Sequence, residues 1–276
     1  MPSSPVSRPA RGSITDMDLP GRELSLWSAE KLSDTALALP PALLPADWQA
    51  WVDRDGLAVS FDRPQQCLSS AVARGGWVQA GGFVNMHLPG DCPFGPLGET
   101  PPERMLANHG AARGAAVDSV GMMTAATMRS LRLASTSIDG VMLSVLVTSG
   151  LANARRAGDT VEHTGLSAPP ISAGTINLAL GTSSALTPAA MAETLTTLTE
   201  AKAAALQDAG IISPVSGALA TGTGTDATAV FCPPHGAALR YTGKHTRFGE
   251  QAARLVIAAL IDAIRHDARM PCAHAR

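Results

Sequence analysis

The sequence predicts a single α/β domain of the mixed α+β kind, in which a mixed β-sheet core is flanked by helices. Three observations predict it. β-type runs recur along the chain with Gly or Pro clusters at many of their ends. Helical stretches lie between those runs, which favours a mixed arrangement over an all-β one. No low-complexity linker and no fixed-period repeat divides the 276 residues. Strand order is not readable from these signals.

Residues 1–22 are Ser- and Pro-punctuated and lack periodicity, so they read as a disordered N-terminal tail, with the domain expected over 23–267 and a C-terminal tail over 268–276. Strands are expected at 57–61, 67–72 and 78–88, followed by helices at 102–116 and 119–130. Further strands are expected at 141–148, 175–181 and 227–232, and a closing helix at 247–266. The helix at 188–209 carries the clearest punctuation: Thr187 as N-cap, Pro188 at the first helical position and Gly210 just past the end. At about 100° per residue, Met191, Leu195, Leu198, Thr199, Lys202 and Leu206 share one face, opposite Glu193, Glu200 and Gln207. Lys202 therefore falls inside an apolar stripe, where it must snorkel, pair with an acid or lower its pKa.

Composition narrows the partners. A hydrophobic content of 45% suffices for one substantial core. A net charge of −2 with scattered Lys and Arg gives no basic stripe, which argues against nucleic acid. Cys67, Cys92, Cys232 and Cys272 show no Cys-x-x-Cys spacing, so reduced thiols are expected rather than a zinc knuckle or redox motif. The N-terminus lacks the apolar run of a secretory signal, and the runs at 141–147 and 255–261 fall short of the roughly 20 residues needed to span a membrane. A soluble cytoplasmic protein without membrane contact is expected, and a homo-oligomer is the base-rate expectation.

The most unusual segment is Ala220-Thr-Gly-Thr-Gly-Thr-Asp226. Gly222 and Gly224 would let backbone approach a ligand, and Thr221, Thr223 and Thr225 supply hydroxyls. It reads either as a ligand cradle or as the glycine-rich start of a strand with Asp226 capping a turn. A dinucleotide fingerprint is rejected because a strand, not a helix, follows, and no Gly-Lys-Ser/Thr completes a phosphate loop. His245 lies at or just before the N-terminus of the last helix, whose dipole would keep the imidazole neutral; it reads as a general base or as a surface cap. Asn153 and Asn177, each near a Gly-bounded strand end, offer donors and acceptors suited to a carboxamide-fringed ligand, or serve as ordinary turn and edge amides. The methionines of the 121–128 segment suit a flat apolar ligand or plain core.

Taken in order, Leu68-Ser-Ser70, Val120-Gly-Met-Met-Thr-Ala-Ala126, Asn153 with Gly158-Asp159, Gly174-Thr-Ile-Asn177, Thr199-Glu-Ala-Lys202, Ala220 to Asp226 and Gly243-x-His-Thr-x-x-Gly-Glu250 resemble the adenosylcobinamide amidohydrolase family, over about residues 65–265. That resemblance implies a corrinoid-salvage enzyme that hydrolyses the amide between a corrin propionate and aminopropanol, giving adenosylcobyric acid. The corrinoid is then the substrate and no cofactor is called for. A non-catalytic corrinoid carrier and an amidase for another bulky amide are the alternatives. Asn85-Met-His-Leu-Pro89 and the Pro-rich stretch after it match the family less well.

Amide hydrolysis needs a nucleophile, an oxyanion site and a proton for the departing amine. The expected assignment has His245 activating water and Asp226 orienting it, with Lys202 adding positive charge. The N–H groups of residues 222–225 would meet the oxyanion, and Thr221 to Thr225, Asn153, Asn177, Thr199 and Glu200 would bind substrate. A threonine nucleophile, Thr223 or Thr199, is the rival and requires a base in hydrogen-bond reach. A metal-assisted variant would draw on His109, His245, Asp226 or Glu200, although no pair has metal-motif spacing.

Overall fold

The computed structural model describes residues 13–19, 22–88, 100–161 and 174–267. The chain forms β1 (Ser13–Leu19), β2 (Arg22–Ser28), β3 (Leu37–Ala38), β4 (Trp48–Asp53), β5 (Gly56–Ser69) and β6 (Gly76–His87), then helix α1 (Pro102–Ala111). β7 (Val120–Thr124), β8 (Arg132–Ile138), β9 (Val141–Ser149), β10 (Ala154–Arg155) and β11 (Ile176–Thr182) lead into α2 (Pro188–Asp208). β12 (Gly222–Thr223), β13 (Ala227–Cys232) and α3 (Arg247–Asp267) follow.

The principal sheet runs β1-β2-β8-β9-β11-β13-β5-β4-β3, with β6 also on β5 and β7 on β6. Two of its pairings are parallel, β11 with β13 and β6 with β7, and the intervening chain of each contains a helix, α2 or α1. The remaining pairings are antiparallel, which makes the sheet mixed, as expected. β10 and β12 form a separate two-stranded ribbon.

β5 joins two layers. Its first half pairs β4, its last four residues pair β13, and its register against β6 shifts between Ser60 and Gln65. Pro64 falls inside that irregularity, where its missing N–H breaks no ladder. The β3–β4 side thereby folds across one face of the sheet. The Trp48 ring occupies the space a Cβ on Gly181 of β11 would need, 2.4 Å away, and Ser144 of β9 donates to the Leu43 carbonyl at 2.6 Å.

The period-two alternation of β9 and β11 sorts their side chains between the two faces. Leu143, Val145, Val147, Ile176, Leu178 and Leu180 pack with α2 and α3, whereas Leu146 and Ala179 pack with Trp48, Phe61, Phe83 and Phe231 beneath the β3–β4 side. Arg132, fully buried on β8, is bonded to Asp262 of α3, to Glu30 and to the carbonyls of Arg129 and Leu131.

α2 has the expected cap, with the Thr187 hydroxyl accepting from the Ala190 N–H at 3.2 Å, Pro188 opening the helix and Gly210 at φ +69°. The segment 119–130 departs from expectation: it holds β7 and a short 3₁₀ turn, Met128–Ser130, rather than a helix. Its apolar run satisfies its backbone by pairing alongside β6, and close packing against α1 leaves Gly121 little room for a side chain, whose Cβ would lie 3.0 Å from Leu106. The strands expected at 57–61 and 67–72 are one, β5. β1 lies within the stretch read as a tail and is paired to β2 along its length; residues 1–12 and the expected C-terminal tail lie outside the described residues, as does the Pro-rich stretch at 89–99. Cys67 and Cys232 are free, buried thiols. No described helix is long and apolar enough to cross a membrane.

Candidate active site

Asp226 immediately precedes β13, and the strand alternation turns it toward the helices. One carboxylate oxygen takes the Lys202 ammonium and the Thr223 N–H (2.9 Å); the other takes the Ile176 N–H (2.9 Å) and the Thr223 hydroxyl. The Lys202 and Asp226 side chains are only 8% and 9% exposed. Of the three options for a lysine in the apolar stripe, α2 takes the pairing one. Desolvating both charges is costly, and the three further hydrogen bonds to the carboxylate offset that cost.

The glycines serve this ion pair. A Cβ on Gly222 would stand 2.4 Å from an Asp226 carboxylate oxygen and 3.0 Å from Lys202 Nζ. Gly174 has φ +135°, and a Cβ there would meet Asn153 Oδ1 at 2.7 Å. Gly224 is exposed, 3.4 Å in the same sense from Asn153 Nδ2, so it is the glycine of the segment that faces outward. On the other side of the sheet, Thr175 and Thr225 share a hydroxyl hydrogen bond at 2.7 Å, and Thr225 donates to the Gly174 carbonyl at 2.9 Å. Thr221 accepts from the Ala157 N–H at 2.9 Å, beside the ribbon of β10 and β12.

Asn153, Lys202 and residues 221–226 are thus brought together, with Gly174 and Thr175 added. His245 is not. It is exposed in the turn before Thr246, whose hydroxyl caps α3 by accepting from the Gly249 N–H at 3.0 Å. His245 lines a cleft of about 490 Å³ with Glu193, Thr196, Glu200, Tyr241 and Lys244. Glu200 is paired there with Lys244. Lys202 is two residues beyond Glu200, about 200° around the helix, so α2 stands between this cleft and Asp226. Asp226 therefore orients no imidazole: its four donors are Lys202, Thr223 twice and Ile176.

Three more expected residues lie elsewhere. Thr199 is exposed and its hydroxyl returns to the Leu195 carbonyl of its own helix at 2.9 Å. Asn177 is 2% exposed, interior rather than at a ligand surface. It donates to Asn85 Oδ1 (2.8 Å) and the Met123 carbonyl (2.9 Å), and Asn85 donates to the Thr148 hydroxyl (2.9 Å). The sequence reading missed Asn85 and Thr148 as members of this network; alternation on β6 and β9 alone does not single them out. His109 lies on α1, its Nδ1 3.2 Å from Arg113, which also binds Asp53. Burial, then the neighbouring Arg113 charge, pushes its pKa down to about 4. The groups of the metal-assisted variant thus sit in three places, and among the described residues no three His, Cys, Asp or Glu side chains converge on one point.

A family model described as adenosylcobinamide amidohydrolase matches residues 46–271. An uncharacterized protein of Methanocaldococcus jannaschii, MJ1613, is 36% identical over 157 residues, covering 52% of this chain and 61% of the relative. The chain spans about three fifths of the length of that curated relative. Among solved structures, the PH0078 protein of Pyrococcus horikoshii OT3 matches with a TM-score of 0.41 and 10% identity, covering 87% of this chain and 86% of its own. A Burkholderia sp. beta-aminopeptidase matches at 0.38 and 13%, covering 79% and 80%. The L-aminopeptidase D-Ala-esterase/amidase of Ochrobactrum anthropi matches at 0.39 and 10%, covering 87% and 86%.

Proposed function

We propose, from the premise that this chain belongs to the adenosylcobinamide amidohydrolase family, that it hydrolyses the amide joining aminopropanol to the corrin propionate of adenosylcobinamide and yields adenosylcobyric acid. The observation that carries the reading is the convergence of Asn153, Gly174, Lys202 and Gly222 to Asp226, far apart in sequence, on one polar centre at the N-terminal ends of the neighbouring interior strands β11 and β13. A buried carboxylate with a fixed cation beside it supplies what amide cleavage demands: an acceptor for a nucleophile's proton and positive charge near the developing oxyanion. Lys202 and Asp226 are assigned to that centre, and Asn153 with the exposed backbone at Gly224 to the carboxamide rim of the corrinoid. His245, Glu200 and Thr199 are placed outside it, because they lie on the other side of α2 or on its exposed surface.

The test is to incubate purified protein with adenosylcobinamide and follow aminopropanol and adenosylcobyric acid by mass spectrometry. Both products are expected from the wild type, and neither from Lys202→Met that has kept its fold. Tight corrinoid binding without products would identify a carrier instead. Absence of both binding and turnover would point to an amidase for a different bulky amide.

A further inference from the structure

We infer that Thr223 is the nucleophile of this centre and that the reaction passes through an ester between its hydroxyl and the corrin propionate; the inference rests on the reaction proposed above. Several hydroxyls among the described residues touch a carboxylate, and their settings separate them. Thr242, against Glu193, is fully buried and gives its proton to the Ala190 carbonyl at 2.7 Å. Ser213, against Asp159, is also fully buried. Ser216 is exposed, and its partner Asp159 is half-buried and already taken by the Ser213 hydroxyl and the Arg156 N–H, with no lysine holding it among the described residues. Of these, Thr223 combines a hydroxyl that is only half-buried, with the Gly174 carbonyl a longer 3.2 Å away, with a carboxylate that is 9% exposed and held from its other oxygen by a lysine. The exposed Gly224 follows it directly and puts no side chain beside the hydroxyl.

The other threonines of the segment bond no carboxylate through their hydroxyls: Thr221 accepts from the Ala157 N–H, and Thr225 bonds Thr175 and the Gly174 carbonyl. Thr199 has no carboxylate in reach of its hydroxyl, which bonds its own helix.

The step balances without any further reagent. Thr223 Oγ attacks the amide carbon, forming a C–O bond while the carbonyl electrons move to oxygen, and its proton passes to Asp226. The tetrahedral species collapses, the C–N bond breaks, and Asp226 returns the proton to the departing nitrogen, releasing aminopropanol. Water then attacks the ester, gives a proton to Asp226, and the C–O bond to Thr223 breaks as that proton returns to Oγ, leaving the free acid. Lys202 holds the Asp226 oxygen that does not face the hydroxyl, and its charge is the one assigned above to the developing oxyanion.

The experiment compares aminopropanol release from adenosylcobinamide by wild type, Thr223→Ala and Thr223→Ser, and searches acid-quenched wild type and Thr223→Ser for covalent corrinoid mass on the peptide holding residue 223. The expected results are a loss of at least about a thousandfold in Thr223→Ala, retained turnover in Thr223→Ser, and acyl mass on residue 223. Turnover by Thr223→Ala within about tenfold of wild type, or a quenched enzyme that turns over but carries no acyl mass at 223, overturns the inference and leaves the reaction standing. Should Thr223→Ala fail to fold, the acyl mass in the other two proteins decides. A wild type that releases no aminopropanol overturns the reaction, and the inference with it.

Discussion

Lys202 and Asp226 depend on one another. With Lys202→Met the carboxylate stays buried with three donors and no counter-charge, and stability should fall by about 3 kcal/mol, read as a lower denaturant midpoint with an unchanged slope. His109 makes a second prediction, about pH. An unfolded chain protonates a histidine near pH 6.5, whereas the folded chain holds His109 neutral down to about 4. Between those values the unfolded state binds more protons, so stability is lost as pH falls through the window. Urea midpoints at pH 7 and pH 5 should therefore lie closer together in His109→Gln than in wild type. That Lys202 must snorkel, pair or lower its pKa was legible from its place in the apolar stripe, but not which of the three it does. Pairing was not readable because Asp226 is 24 residues away and only the crossover from α2 to β13 brings it there.

At the scale of the element, α2 was read correctly because its punctuation is local: a threonine cap, a proline and a glycine act within one turn of each end. Thr187→Ala should cost about 1 kcal/mol and leave catalysis unchanged, which thermal melts beside turnover assays would show. β7 was misread for the opposite reason. Val120-Gly-Met-Met-Thr124 carries no alternation, and a short apolar run between two glycine- or serine-bearing segments suits helix and buried strand alike. What decided it was β6, a neighbour 37 residues earlier in register, Phe83 opposite Val120. β5 was read as two strands, 57–61 and 67–72; the polar stretch between them, with Pro64, is carried through by an irregular register shift against β6.

At the scale of the molecule, the mixed sheet with flanking helices was readable as a class, while its order was not. Strand order depends on which edges meet, and β5 meets β4, β6 and β13 at different points along its length. The same limit applied to the site. The residues of the motifs were picked out by type, yet only the folded sheet separates those that share the Asp226 centre from Asn177, inside the layers, and from His245, across α2. The central claim, that the chemistry belongs to Asp226 and Lys202 and not to His245, is tested most directly by kcat/KM for aminopropanol release from adenosylcobinamide in Asp226→Asn and His245→Ala, measured side by side against wild type. The account predicts a loss of at least about a hundredfold for Asp226→Asn and a value within about threefold of wild type for His245→Ala. A collapse in His245→Ala with Asp226→Asn largely active would contradict it.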